Sequence, residues 1–332
     1  MEFKTKIERL LLDQLVNTGK IDLSALERKK KVDFFDFFEN YVMKVSNVEL
    51  STGTVKIYKR TLKYLKEFSS EISIDKVNVE FLERFNKFLI EQKNLKINTR
   101  ASLFNKVKKV ILVAVQNDHI NFSANPFYQG FSIREVEPEK KSLTLSELKK
   151  IASLDMSQRP ELEKAKDMFL LASYTGLRFG DLSLLSFENF EVLENGKIRL
   201  IYQPAKTSRL NGKWIKWIVS DFWNGKIDEI IHKYFRIYEP YKKHPIEKRL
   251  FFNISNQKYN EKLKEIQRFA NIKTNLTSHL ARHTYITLLI NEYSLDITKA
   301  QLIAGHSKIE MTQKYLRITE RDLSDAGKKI VW

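Results

Sequence analysis

Ser278-His279-Leu280-Ala281-Arg282-His283-Thr284 places two imidazoles four residues apart with a guanidinium between them. A helical zinc site of the His-Glu-x-x-His kind needs a glutamate after the first histidine as general base. Leu280 stands there instead, Arg282 would repel a cation, and the chain's six histidines offer no obvious third ligand. An anion suits these residues better. His279 and Arg282 are three apart, so on a helix they project from one face, and the planar guanidinium fork matches phosphate oxygens. His283 falls one step round, where its plain reading is a hydrogen-bonded supporting or core imidazole.

Two other segments carry similar chemistry. In Tyr174-Thr175-Gly176-Leu177-Arg178-Phe179-Gly180-Asp181-Leu182 a helix ends at Gly176 and another begins at once. Arg178 would then sit at a helix start, where amide donors already favour an anion. Ile303-Ala304-Gly305-His306 is followed nine residues later by Tyr315. Tyr315 is one of 13 tyrosines, and without His306 ahead of it would read as an ordinary core or surface residue.

The elements that must position these groups form two regions. From Asp33 to about Asp118, apolar residues recur at three- and four-residue intervals in segments near 33–46, 54–68, 78–92 and 98–118, predicting a four-helix bundle. Residues 1–30 read as helical, stopping near Gly19, and Arg28-Lys29-Lys30-Lys31 as a linker or basic contact. Residues 119–141 lack periodicity, hold Pro126, Gly130 and Pro138, and mark the domain boundary. Thr144-Leu145-Ser146-Glu147 has the form of a capping box and opens further helices to about Leu185. Asn195-Gly196 signals a hairpin, Ile198–Tyr202 and Trp214–Val219 read as strands, and the rest is helical.

The bundle carries much of the positive charge. Between Thr54 and Glu67, Val55, Tyr58, Leu62 and Leu65 face one way while Lys56, Lys59, Arg60 and Lys63 line another. Asn94–Lys109 holds Lys96, Arg100, Lys106, Lys108 and Lys109 without one acid. Either stripe alone reads equally as a solvated face. Two acid-poor faces in one bundle favour a DNA-facing surface. Overall, 58 Lys and Arg against 41 Asp and Glu give a net charge of +17, and a pI near 9.6. Frequent lysine codons in an AT-rich genome would give the same excess, but a pI this high puts nucleic acid first among partners.

Other classes are disfavoured. With 332 residues the chain suits two domains, and no apolar run approaches the roughly 18 residues that cross a bilayer. No secretory signal opens it, so a cytoplasmic location is expected. The absence of cysteine removes disulfides and thiolate zinc sites.

Taken together and in this order, the motifs resemble those of the tyrosine recombinases, the phage integrase family, over roughly residues 33–325. The family pattern has an arginine in a Thr-Gly-x-Arg-x-x-Glu/Asp context, a hairpin lysine, a His-x-x-Arg helix, a Gly-His and a tyrosine nine residues on. Arg178 with Asp181, Lys206 in Pro204-Ala205-Lys206-Thr207, His279 with Arg282, His306 and Tyr315 match it. Arg209 lies close enough to be confused with Lys206. Ala281 and Ala304 stand where leucine is common, a change of packing rather than chemistry.

The resemblance implies a mainly α fold: a SAM-like four-helix core-binding domain (33–125), a linker (126–141), and a mostly helical catalytic domain with a small antiparallel β-sheet (142–332). Residues 1–32 form an N-terminal extension, too short for the arm-binding domain of many members; either this member lacks that domain or the chain is a fragment. The wording of Ser51-Thr52-Gly53-Thr54 and of residues 278–284 is similar to integrases of Bacteroidetes mobile elements, which usually have it.

The implied activity is site-specific recombination of double-stranded DNA through a 3′-phosphotyrosyl intermediate on Tyr315, without cofactor, metal or ATP. Arg178 and Arg282 would clamp the phosphate, His279 would act as acid or base, Lys206 as general acid and His306 as a hydrogen-bond donor. Asp181 and His283 would support from behind. A homotetramer on DNA is expected, with accessory DNA-bending factors and exchange of a C-terminal helix within Thr319–Trp332, whose Leu323, Ala326, Ile330 and Val331 would otherwise pack on their own domain. A type IB topoisomerase would use the same chemistry as a monomer. A non-catalytic DNA-binding or architectural protein would explain the charge but not the matched positions.

Overall fold

Helix capping and aromatic packing build the first of two units, residues 1–138 and 139–332, in the computed structural model of the chain. The structure describes residues 32–46, 50–137, 141–205, 214–238, 249–251, 254–306 and 308–316. The expected helix of residues 1–30, Lys206, Arg209 and Thr319–Trp332 lie outside the described residues.

In the first unit, α1 (Phe34–Ser46) opens where Asp33 Oδ1 accepts the Asp36 amide at 2.9 Å. Ser51 caps α2 (Thr52–Phe68) by accepting the Thr54 amide at 3.2 Å, and Asn78 caps α3 (Val79–Glu91) through the Phe81 amide at 2.9 Å. α4 (Ile97–Gln116) completes the bundle. Short polar side chains at these positions satisfy amides that a helix start leaves open. The core is strongly aromatic: Phe34, Phe38 and Phe85 are fully buried, with Leu65, Leu82, Leu89, Leu103 and Ile111 between them.

This core runs past the expected start of the linker at residue 126. Phe131 is buried in it, and Phe127 and Ile133 pack against it. Asn98 clasps Val136 twice, donating to its carbonyl at 2.7 Å and accepting its amide at 2.8 Å. Aromatic rings on an irregular chain carry no period, so the sequence pattern ends before the packing does.

The second unit opens with α5 (Leu145–Ala152) on the anticipated capping box: Thr144 Oγ1 accepts the Glu147 amide, and Glu147 Oε2 the Thr144 amide. α6 (Pro160–Thr175) is buried at every residue from Ala165 to Thr175. α9 (Asn256–Phe269) and α10 (Ser278–Asn291) pack on it, and α10 is itself buried from Leu280 to Ile290 except at His283. A helix enclosed on all sides needs apolar residues all round rather than a stripe. Around this centre stand α7 (Phe179–Leu182), α8 (Lys226–Tyr238), α11 (Ile297–Ala304) and α12 (Glu310–Gln313).

The sheet has three antiparallel strands in the order β1 (Phe190–Val192), β2 (Ile198–Tyr202), β3 (Ile215–Ile218). Two were expected. β1 was missed because a three-residue strand is too short to show alternation, and Asn195-Gly196 turns β1 into β2. Gly196 donates to Leu193 O at 2.8 Å and takes φ +78°, the left-handed position such a hairpin needs.

Candidate active site

The first arginine is placed by a helix end. α6 stops at Gly176, whose φ of +71° is left-handed. A Cβ added there would also lie 2.4 Å from Cδ1 of the buried Tyr285, so both backbone and neighbour require glycine. Two residues on, the half-buried Arg178 leads into α7. On that short helix Asp181 is only 6% exposed, and its carboxylate accepts the Ala205 amide at 2.8 Å. Asp181 thus ties α7 to the chain one residue before Lys206.

α10 supplies the second arginine and two imidazoles. Thr277 caps it, His279 is exposed in its first turn, and Arg282 is 2% exposed. The Arg282 guanidinium donates from Nη1 to Gly176 O at 2.5 Å and from Nη2 to Ala304 O. These carbonyls close the ends of α6 and α11, the negative poles of two helices. One side chain therefore fastens together the segments around residues 176, 282 and 305. Burial, reinforced by the like charge of Arg178, pulls its pKa down to about 10, so it stays cationic at neutral pH. These two bonds use two of the five N–H donors of the guanidinium.

Tyr315 is buried beside this cation, in a small apolar cluster with Tyr285, Ile286, Leu289, Ile290, Ala300 and Ala304. Its hydroxyl is 2.6 Å from His283 Nδ1. The His306 ring stacks on the phenol, with centroids 6.1 Å apart and planes 20° from parallel, and His306 Nδ1 lies 2.8 Å from Thr312 Oγ1. His279 stands edge-on to His283 with centroids 4.3 Å apart. Burial pushes the Tyr315 pKa up, and the charges of Arg282 and Arg178 draw it back.

Arg178, Asp181, His279, Arg282, His283, His306 and Tyr315 are thus gathered into one region. Sequence reasoning missed two further residues there. Asn291 Nδ2 donates to Thr287 O at 2.8 Å and to Tyr315 O at 3.0 Å, securing the backbone of the phenol to α10. Tyr202, buried at the end of β2, has a pKa pushed up to about 12 by burial and then by Asp181, against the pull of Arg282 and Arg178. Nothing in their spacing marks either one. Among the described residues, no group of three or more His, Asp or Glu is placed to hold a metal ion, and no helix is long and apolar enough to cross a membrane.

In the first unit, Lys56, Lys59, Arg60, Lys63, Lys96, Lys108 and Lys109 are exposed. The expected basic set is not uniform. Arg100 is half-buried and donates to Asn86 Oδ1 at 2.5 Å and Leu95 O at 3.2 Å, which pins α4 to α3. Lys106 is half-buried with Nζ 5.3 Å from the Tyr58 ring centroid. Lys63 is 3.8 Å from Glu67, which Lys93 also holds at 2.6 Å.

Residues 33–130 match the profile of the phage integrase SAM-like domain, and residues 141–321 that of the phage integrase family. The chain belongs to the phage integrase family. Among curated tyrosine recombinases it is similar to XerD of Vibrio cholerae serotype O1, at 24% identity over 278 residues, 82% of this chain and 88% of that one. It is also similar to a tyrosine recombinase of Thermosipho africanus, at 29% over 176 residues, 50% of this chain and 54% of that one. Its fold is shared with a lambda integrase tetramer bound to a Holliday junction, at TM-score 0.68 and 16% identity, over 95% of this chain and 88% of that one. The Tn1549 transposon integrase in complex with a circular intermediate DNA gives 0.66 and 19%, over 90% and 99%. As a member of this family the chain is a tyrosine recombinase, mostly helical, with a SAM-like domain ahead of the catalytic one.

Proposed function

We propose that this tyrosine recombinase cuts and rejoins double-stranded DNA at specific sites through a 3′-phosphotyrosyl bond to Tyr315. The observation that carries the reading is a buried phenol within electrostatic reach of Arg178 and of the pinned Arg282. Phosphodiester cleavage is so slow unaided that roughly 20 kcal/mol of barrier must be removed. Fixed cationic donors aimed at the non-bridging oxygens supply such stabilisation without reorganisation at the moment of reaction. Arg178 and Arg282 fill that role, with His279 and His306 completing the contacts to the phosphate. Lys206 protonates the departing 5′-oxygen, and the Asp181 bond to Ala205 N–H anchors the residue before it. The phosphotyrosyl bond conserves the phosphodiester energy, so rejoining uses no ATP, and the arginines supply the charge a metal would otherwise bring.

In this reading residues 33–125 grip one side of the duplex through α2 and α4, and residues 142–332 carry the chemistry. Four copies assemble on two DNA sites in the cytoplasm, each passing its C-terminal segment to a neighbour, with DNA-bending factors assisting. The biological setting is the movement of a mobile element of the Bacteroidetes kind.

A library of nicked duplexes with a randomised core tests this and selects the target sequence at the same time. The chain is expected to yield a denaturant-resistant protein–DNA adduct whose recovered DNA shares one sequence. Tyr315→Phe should bind the same DNA and give no adduct, measured by denaturing gel. Binding without any adduct would identify a DNA-binding protein instead. Relaxation of supercoiled plasmid by a monomer, with no recombinant product, would identify a topoisomerase.

A further inference from the structure

We infer that His283 is a catalytic residue: it takes the proton from Tyr315 as the phenol attacks phosphorus and returns it when the strand is rejoined. This rests on the strand-cleavage reading above and assigns its proton.

The family resemblance gives the acid–base role to His279, but the imidazole that the structure places on the hydroxyl is His283, with Nδ1 2.6 Å from the phenolic oxygen. A candidate base must first be within hydrogen-bond reach of the proton it removes, and this contact meets that condition. Accepting the phenolic proton at Nδ1 requires the neutral ring with its own proton on Nε2. His306 meets Tyr315 differently, through its ring face, with its Nδ1 directed to Thr312. His279 is three residues from Arg282, which suits it to the phosphate that the arginine grips.

The need for a base follows from the setting of the phenol. In water about one phenol in a thousand is ionised at pH 7, and burial makes the ionised form rarer here. A base in contact lets the proton leave as the bond forms, with no free phenolate. The step balances. The Tyr315 Oη–P bond forms, the bond from phosphorus to the 5′-oxygen breaks, the phenolic proton passes to His283 Nδ1, and the 5′-oxygen takes its proton from Lys206. In rejoining, the 5′-hydroxyl attacks as its proton returns to Lys206, the phosphotyrosyl bond breaks, and imidazolium returns the other proton to the leaving phenolate.

The groups around the pair explain when the base works. Arg282 and His279 on α10, Arg178 leading into α7 and His306 after α11 are cationic or able to become so and oppose a positive charge on His283, while Asp181 on α7, which holds the Ala205 amide, acts in the opposite sense. A bound phosphate offsets them. Proton transfer is therefore favoured once DNA occupies the site.

The test uses the duplex recovered from the library, with sulfur in place of the bridging 5′-oxygen. A thiolate leaves without protonation, so the rate of adduct formation reports the phenol's attack. His283→Asn keeps a hydrogen-bonding atom near the position of Nδ1 but cannot accept the proton. His283→Ala leaves space for added imidazole. Both are expected to bind DNA as the unaltered chain does and to form adduct about 10²- to 10⁴-fold more slowly, with imidazole restoring the alanine variant only. A wild-type rate in either variant overturns the assignment: in His283→Asn it makes His283 a positioning residue, and in His283→Ala a bystander. Should the alanine variant unfold, the asparagine variant decides alone. No adduct from the unaltered chain would instead remove the strand-cleavage reading itself.

Discussion

Cations on the helical bundle and cations in the second unit carry the same charge in opposite settings. Lys56, Lys59 and Arg60 on α2, Lys96 just before α4, and Lys108 and Lys109 on it are exposed, with no ion pair among the described residues. Arg282 is 2% exposed and bonded to two helix-end carbonyls. An exposed cation keeps its water and rotamers until DNA arrives, then contributes by releasing counterions, whatever the sequence. A buried cation has already lost its water and acts where charge is weakly screened. In the proposed reaction the first arrangement supplies grip, spread over many interchangeable groups, and the second supplies rate, concentrated in a group that cannot be exchanged.

Arg282→Lys should break this contrast most sharply. The ammonium cannot reproduce the fork that spans Gly176 O and Ala304 O while still facing phosphate. Adduct formation on the nicked duplex is expected to fall about 10³-fold or more, with DNA affinity almost unchanged in the same preparation. Gly176→Ala comes next. Left-handed strain and the clash with Tyr285 together should cost about 2–5 kcal/mol, lowering the thermal midpoint by roughly 10 °C in calorimetry. A midpoint within a degree of the unaltered chain would show that α6 can end differently. The smallest effects belong to the bundle. Arg60→Ala should reduce the slope of log K against log salt by about 1 and leave the saturated adduct rate unchanged. Lys63→Ala, at a lysine that shares Glu67 with Lys93, should change the slope less. Equal slopes for the two variants would mean that the Glu67 contact breaks on DNA.

The helices of the first unit were legible because each buries one stripe, as Tyr58, Leu62 and Leu65 do on α2. Thr144 and Glu147 were legible because a capping box is a local device. The grouping of Arg178, Arg282, His306 and Tyr315 was implied by the resemblance of their order and spacing to the family pattern, not by any period. What stayed hidden depends on distant chain segments meeting. His283 and Tyr315 are 32 residues apart, and nothing near either one foretells that contact. Asn98 and Val136, 38 apart, extend the first core for the same kind of reason. Arg100 shows the converse: its position on α4 fits a DNA-facing stripe, yet Asn86 and the Leu95 carbonyl already hold it.

The side chain of Asn291 has a consequence for how the proposed nucleophile would be shared between copies of the chain. It buttons the Tyr315 carbonyl to α10 while His283 holds the hydroxyl, so backbone and tip are both fastened within one protomer. At about 0.5–1.5 kcal/mol net per hydrogen bond, undoing both fastenings costs about 1–3 kcal/mol. That is a bias of about five- to 150-fold toward a phenol serving its own subunit, and it is small enough for one firm contact with a neighbour to reverse.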